Sequence, residues 1–120
     1  MSKITKLNLT RLKMESFGDY IRRLRVEKGL NQTELAAKIG LDSGGLSKVE
    51  NGKKELKENK LLLLAKALKI DVADIKKQYL SEKFAEDCFK YKCPEAVFQL
   101  AEEKAKYYKS VNIKQSKLKF

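Results

Sequence analysis

The chain has 120 residues, of which 36% are charged and 42% are hydrophobic, so it can form one domain with a single hydrophobic core. Lysine and arginine outnumber acidic residues by 27 to 16, and the net charge of +11 favours a polyanionic partner such as nucleic acid, although such charge also keeps a protein soluble. The longest apolar run, residues 61–65, is far shorter than the roughly 20 residues of a membrane helix. Residues 1–16 lack the apolar core of a signal peptide. We therefore expect a cytoplasmic chain with no membrane partner.

Residues 1–14 are basic and have no regular apolar period. Two interpretations remain open for them. They are either a flexible arm that follows a DNA groove or a leader that lies outside the folded domain.

The spacing of Phe17, Ile21 and Leu24 predicts an amphipathic first helix over about residues 17–28. Ser16 is a candidate N-cap, and Gly29 ends the helix. Three arginines lie on the other side of this helix: Arg22, Arg23 and Arg25.

Residues 31–52 are typical of two short helices joined by a tight turn. Leu35, Ala36 and Ile39 give the first of them an apolar face, and Gly40 ends it, because glycine adopts positive φ without steric cost. Asp42 or Ser43 can cap the second, over about residues 43–51. This second helix buries Leu46 and Val49 and turns four residues outward: Ser43, Gly44, Ser47 and Lys48.

The arrangement Gln32-x-x-Leu35-Ala36-x-x-x-Gly40-x-x-x-x-x-Leu46-Ser47-x-x-Glu50-x-Gly52 resembles the phage-repressor-like (Xre) helix-turn-helix family. Similar agreement extends to residues 17–25 and 61–72, so the resemblance covers roughly residues 15–77. It implies an all-α fold, with a five-helix helix-turn-helix DNA-binding domain over residues 15–77.

The resemblance also implies the roles of individual residues, because the second helix of this motif lies in the DNA major groove. The expected base-contacting residues are Ser43, Gly44, Ser47 and Lys48, and the expected phosphate-contacting residues are Gln32, Asn51, Lys53 and Lys54. Arg25 is expected to form a structural ion pair with Glu50. Gly44 and Gly45 depart from the family, and they predict modest base specificity, with either a late helix start or a close approach of the backbone to DNA.

The C-terminal half predicts three more helices, over about residues 59–68, 72–91 and 94–109, with Asp71 as a cap and Pro94 at the last break. Leu62 and Leu63 widen the apolar stripe of the first of these, as core residues or as a dimer contact. Residues 78–109 are interpreted as a helical hairpin extension, and 110–120 as a basic flexible tail. The apolar stripe of the hairpin predicts dimerisation through these residues: Tyr79, Phe84, Tyr91, Val97, Leu100 and Tyr108.

Cys88 and Cys93 are the only cysteines, and the chain has no histidine, so no metal site is expected. We interpret both as buried thiols that pack as small apolar groups. A redox switch is the alternative, and nothing in the sequence supports it. The absence of histidine, of a glycine-rich phosphate loop and of a carboxylate motif predicts that the chain is not an enzyme and uses no cofactor. No small-molecule effector is evident, and whether one exists stays open.

These observations predict a sequence-specific double-stranded DNA-binding transcriptional regulator. We expect a homodimeric repressor or autoregulator on two-fold-related half-sites, and as a narrower hypothesis the controller protein of a restriction–modification operon. The alternative is an antitoxin-like or other interaction module whose C-terminal hairpin binds a partner protein. The operator, the target operon and the choice between repression and activation stay open.

Overall fold

The structure is a computed structural model that describes residues 14–114. Within this range the chain forms six α-helices and no strand, which confirms the predicted all-α class. The helices are α1 (Phe17–Glu27), α2 (Gln32–Ile39), α3 (Ser43–Glu50), α4 (Glu58–Leu68), α5 (Val72–Lys90) and α6 (Ala96–Lys114). None of the helices in these residues is long and apolar enough to cross a membrane. The chain divides into two compact units, one ending at Phe84 and one beginning at Ala85.

Helix boundaries in the first unit follow side-chain caps. The Ser16 side chain accepts a hydrogen bond from the Asp19 amide at 3.0 Å, and Asn31 forms a capping box with Glu34 at the start of α2. Gly40 ends α2 with φ of 73°, and Lys60 Nζ donates to the Ile39 carbonyl oxygen at 2.8 Å. The turn between α2 and α3 is therefore fixed at both ends.

The core of the first unit is contributed by α1 to α5. Ile21 of α1, Leu35 of α2, Leu46 of α3 and Leu64 of α4 are completely buried. The full set of buried core residues is Phe17, Ile21, Leu35, Ala36, Ile39, Leu46, Val49, Leu56, Leu61, Leu64, Ala65, Leu68 and Ile75. Because every helix gives only a few residues, none of these short helices has a core of its own.

The start of α5 belongs to this core, so the compact unit extends past the predicted boundary at residue 77. The Tyr79 ring packs edge-on against Phe17 with 4.9 Å between centroids, and its hydroxyl accepts from the Leu56 amide at 3.0 Å. The Phe17 amide in turn donates to Glu82 Oε1 at 2.8 Å. These contacts join the first helix to the fifth through polar groups that helical periodicity does not reveal.

The C-terminal boundaries also differ from the prediction. The last helix begins at Ala96 and continues to Lys114, so residues 110–114 of the predicted flexible tail are helical. Residues 110–114 contain no glycine or proline that would end the helix, and Ser110 Oγ donates to the Tyr107 carbonyl oxygen at 2.8 Å. Residues 1–13 and 115–120 lie outside the described residues, so the predictions of an N-terminal arm or leader and of a flexible end to the tail remain predictions.

Helix α1 approaches the end of α3 so closely that only glycine fits at position 18. A Cβ atom built on Gly18 would collide with the carbonyl group of Glu50 and lie 2.8 Å from the carbonyl oxygen of Val49. Both obstacles are backbone atoms, which cannot move without separating the two helices. Gly18 therefore sets the distance between α1 and the carboxyl end of α3.

We expect Gly18→Ala to destabilise the protein by about 1–3 kcal/mol or more, because the added methyl group forces α1 away from α3. The measurement is urea unfolding followed by circular dichroism. Gly44→Ala is the matched control, since the nearest atom to its Cβ would be Asp42 Oδ1 at 3.8 Å, and we expect it to be neutral or up to ~1 kcal/mol stabilising. Equal stability of the two variants would contradict the close approach.

Candidate nucleic-acid interface

Helix α3 presents one face to solvent. Ser43, Gly44 and Lys48 are exposed, and Ser47 is half-buried with its hydroxyl accepting from Asn51 Nδ2 at 3.4 Å. The Asp42 side chain accepts from the Gly45 amide at 2.6 Å and caps the helix directly before Ser43. The predicted alternative of a late helix start, caused by the two glycines, is therefore wrong, because the cap of Asp42 starts the helix in front of them.

The two glycines of α3 have different surroundings. Gly44 is exposed, and the one neighbour of a Cβ there would be Asp42 Oδ1 at 3.8 Å, so its backbone is bare on the solvent side. Gly45 is buried, and a Cβ there would lie 3.0 Å from Asp42 Oδ1 and 3.5 Å from Lys54 Nζ. The second glycine thus leaves room for the capping carboxylate and the Lys54 ammonium beside the first turn of α3.

Three lysines surround a concave pocket next to this turn. The pocket has a volume of about 460 Å³ and is lined by Asp42, Gly44, Gly45, Lys48, Lys53 and Lys54. Its one acidic side chain, Asp42, is used as the helix cap. Three ammonium groups at the positive end of a helix dipole make the pocket attractive to anions such as phosphate.

The carboxyl end of α3 carries a buried charged side chain, and it is the only one within residues 14–111, whose side chains the structure describes. Glu50 is 2% exposed, and Arg25 Nε donates to its Oε2 at 2.7 Å. Its Oε1 accepts from Arg25 Nη2 at 3.2 Å, from Gln32 Nε2 at 3.0 Å and from Arg22 Nε at 3.4 Å. Arg25 Nη1 also donates to the Leu30 carbonyl oxygen at 3.0 Å. This Glu50 cluster, defined as Arg22, Arg25, Gln32 and Glu50, joins α1, α2 and α3.

The cluster keeps the buried carboxylate ionised. Burial acts to raise the pKa of Glu50, but hydrogen bonds from Arg25 and Gln32, the charge of Arg25 and the hydrogen bond from Arg22 lower it further than burial raises it. The pKa of Glu50 therefore lies below its usual value. Its contribution to stability is complete above the ordinary glutamic acid pKa of roughly 4.3 and is lost as the pH falls through the lower folded value.

The cluster also engages two of the predicted phosphate-contacting residues. The Gln32 amide is held by Glu50, and Asn51 Oδ1 accepts from Arg22 Nη2 at 3.0 Å. Lys53 and Lys54 are exposed beside them. Sequence reasoning missed Arg22, although it lies on the same face as Arg25 one turn earlier, and this spacing was the available signal.

The predicted dimerisation residues fall in both compact units. Tyr79 is half-buried against Phe17 and is thus already used inside the first unit, to which Phe84 also belongs. In the second unit Tyr91 is 70% exposed, Leu100 is 51% exposed and Tyr108 is 41% exposed, while Val97 is half-buried. Dimerisation through these residues remains a prediction.

Two short helices at a tight turn, with an outward second helix and lysines beside it, define a helix-turn-helix domain of the DNA-binding class. Comparison with known proteins agrees. The profile of the helix-turn-helix family matches residues 21–75. The HTH-type transcriptional repressor RghR of Bacillus subtilis is 45% identical over 58 residues, which cover 48% of this chain and 43% of that protein, so the chain spans less than half the length of this relative.

Two solved structures are also similar. The restriction–modification controller protein C.AhdI from Aeromonas hydrophila is 39% identical, with 49% of this chain and 89% of that chain covered and a TM-score of 0.47. The clp gene regulator ClgR from Corynebacterium glutamicum is 24% identical, with 82% of this chain and 89% of that chain covered and a TM-score of 0.49. Residues 21–75 therefore match the helix-turn-helix family, and the relative RghR is named as a transcriptional repressor.

We expect Arg25→Leu to destabilise the protein by about 3–5 kcal/mol, because it removes the closest donor to the buried Glu50 carboxylate. The measurement is urea unfolding at neutral pH. Arg23→Leu is the matched control on the same helix: this arginine is exposed, contacts Glu15 and Glu27, and should contribute at most about 1 kcal/mol.

An acid titration gives an independent readout of the same pair. Without Arg25 the pKa of Glu50 is no longer held down, so the loss of stability that this carboxylate causes as the pH falls below roughly 4.3 should be smaller than in the unsubstituted protein. Coincident acid profiles for both proteins, together with equal losses from the two leucine substitutions, would refute the structural role of the ion pair.

Proposed function

We propose that this protein is a homodimeric transcriptional repressor or autoregulator that binds double-stranded DNA with α3 in the major groove. The observation that carries the proposal is the exposed face of α3, with Ser43, Gly44 and Lys48, beside the three-lysine pocket. A single helix fits the major groove of B-DNA, and residues near its amino end reach base edges. A cytoplasmic location is part of this proposal.

Lys48 is the residue best suited to read a base in this arrangement. Its ammonium can donate to the O6 and N7 acceptors of guanine, whereas the hydroxyls of Ser43 and Ser47 either donate or accept and discriminate weakly. Exposed Gly44 places bare backbone at the amino end of the helix, which allows the DNA to come close. The base-contacting set of Ser43, Gly44, Ser47 and Lys48 therefore supports modest specificity per half-site.

Phosphate binding is assigned to the groups that flank α3. Lys53 and Lys54 are exposed and free to follow a DNA strand, since their charge lies on the loop after the helix. Gln32 and Asn51 are proposed as secondary contacts, because hydrogen bonds within the protein already hold the amide nitrogen of Gln32 and both ends of the Asn51 amide. The Glu50 cluster thereby positions two phosphate-contacting groups relative to α3.

Dimerisation is assigned to the second unit. Large apolar side chains of this unit are exposed to solvent, with Phe89 87% exposed, Tyr91 70% exposed and Tyr107 63% exposed. Exposed apolar side chains mark interaction sites where they form one patch, and the rings of Tyr107 and Tyr108 lie next to each other with 6.0 Å between centroids. A competing surface is the apolar groove of about 700 Å³ along α4, which contains Leu62 and Leu63.

The narrower hypothesis of a restriction–modification controller rests on the likeness to C.AhdI, whose name states that role. It requires a methyltransferase or endonuclease gene beside this one. The antitoxin-like alternative requires a toxin gene there instead, and it uses the apolar surface of the second unit to hold that partner.

We expect Lys48→Ala to cost about 1–3 kcal/mol on operator DNA and to relax the preference at one base position. Lys53→Ala should weaken binding to all sequences alike and reduce the slope of log affinity against log salt by about one per contact. The measurement is fluorescence anisotropy with operator and random duplexes across a salt titration. The operator is first located by footprinting the region upstream of the gene.

Lys76 supplies the control for charge alone, because its ammonium is paired with Glu58 and it does not line the three-lysine pocket. Lys76→Ala should leave both affinity and salt slope unchanged. Equal losses from Lys48→Ala on operator and random DNA would make Lys48 a phosphate contact, and a flat salt titration of the unsubstituted protein would contradict DNA binding by this surface.

We expect truncation after Phe84 to give a folded monomer that binds DNA weakly and without operator preference. The cut follows the boundary between the compact units and keeps Tyr79 and Glu82, which pack on α1. Sedimentation velocity and anisotropy measure the two properties. A truncated chain that remains a dimer at micromolar concentration would move the interface to the α4 groove, and Leu62→Glu in the full chain would then abolish dimerisation.

A further inference from the structure

The carboxyl end of α5 closes with a specific pair of backbone hydrogen bonds. The Cys93 amide donates to the Cys88 carbonyl oxygen at 2.9 Å, and the Lys92 amide donates to the Phe89 carbonyl oxygen at 3.3 Å. Lys92 lies between them in the left-handed region with φ of 53°. A six-to-one bond, a five-to-two bond and a left-handed residue together make a Schellman motif.

The side chains of the first and last residues of this motif are frequently in contact, and here both residues are cysteines. The Cα atoms of Cys88 and Cys93 lie at most about 6.8 Å apart, because a Cα is about 2.4 Å from its own carbonyl oxygen and about 1.5 Å from its own nitrogen. Disulfides span Cα distances of about 4.4–6.8 Å. The backbone therefore holds the two residues within disulfide range.

The two thiols differ in their exposure to solvent. Cys88 is 8% exposed, whereas Cys93 is half-buried, and both are free thiols. Burial, and then a hydrogen bond and charge from the neighbouring Cys93, raise the pKa of Cys88. The two sulfur groups thus already interact in the reduced protein.

We propose that Cys88 and Cys93 form a dithiol site that a peroxide oxidises reversibly to an intramolecular disulfide across the end of α5. The Cys93 thiolate is the more accessible group and attacks the peroxide first; an S–O bond forms, the O–O bond breaks and hydroxide leaves, which gives a sulfenic acid. The Cys88 sulfur, losing its proton to solvent, then attacks the Cys93 sulfur; the S–S bond forms, the S–O bond breaks and the oxygen leaves as water. The sum is two thiols and one hydrogen peroxide to one disulfide and two waters.

The disulfide would lock the Schellman motif covalently. In the reduced protein the turn is held by two backbone hydrogen bonds and a left-handed lysine, which costs more than glycine would at that position. The covalent link spans residues 88–93, directly before Pro94 and α6. Oxidation would therefore fix the chain's path into the helix that carries most of the proposed dimer surface.

The test treats the full-length protein with hydrogen peroxide and follows intact mass and free thiols. We expect a loss of two mass units and of both thiols in a species that runs as a monomer on a non-reducing denaturing gel, and full recovery with dithiothreitol. Cys88→Ser and Cys93→Ser should each prevent this product. Oxidation that stops at a Cys93 sulfinic acid, or that yields only intermolecular crosslinks, would overturn the proposal.

Substitutions at Lys92 show whether the turn is responsible, independently of DNA binding. Lys92→Gly keeps the left-handed conformation at no steric cost, so disulfide formation should be as fast as in the unsubstituted protein or faster. Lys92→Val disfavours positive φ and should slow formation roughly tenfold. Circular dichroism checks that both variants fold, and equal oxidation rates in folded Lys92→Gly and Lys92→Val would show that the Schellman motif does not create the site.

Discussion

The buried carboxylate of Glu50 is the constraint on which the rest of the first unit depends. An ionised carboxylate that is 2% exposed must have partners, and they come from two other helices: Arg22 and Arg25 from α1, and Gln32 from α2. A buried ion pair is weak evidence for net stability, since desolvation opposes the Coulomb attraction. Its stronger effect is on geometry, because the donors reach Glu50 together only when the three helices hold one arrangement.

This geometry matters for the recognition surface because α3 is only eight residues long, and a helix of this length is marginal alone in water. Its orientation is supplied by Asp42 at one end and by the Glu50 cluster at the other. Gly18 allows α1 to lie directly against the carboxyl end of α3, next to Glu50. Asp42, Glu50 and Gly18 are not among the proposed DNA contacts, yet they fix the orientation of α3. Gln32 and Asn51 belong both to this support and to the proposed contacts.

Much of the first unit could be predicted because its signals are local. The spacing of apolar residues predicts where the helices lie, and Gly40 predicts where α2 ends. The family resemblance predicts the ion pair between Arg25 and Glu50. What could not be predicted depends on distant contacts. Gly18 reads in sequence as a weak helix former, and Tyr79 reads as part of an apolar stripe, until the fold places them against Glu50 and Phe17. The extent of α6 was missed for the opposite reason, since a basic composition was read as disorder where no residue breaks the helix.

The chemistry of the exposed face also bears on why the proposed regulator should act as a dimer. Specific protein–DNA complexes are typically about 4–10 kcal/mol tighter than non-specific ones, and one good bidentate base contact gives about 1–3 kcal/mol. In the base-contacting set only Lys48 offers such a contact, since Gly44 has no side chain and the two serines discriminate weakly. The discrimination from one α3 therefore falls short of the usual free-energy difference between specific and non-specific binding. Two copies of α3 reach only the lower part of that range of about 4–10 kcal/mol. The remaining discrimination would have to come from sequence-dependent DNA shape, which the lysines and backbone amides proposed to hold the phosphates would sense. We therefore expect the operator to have conserved positions that α3 does not contact.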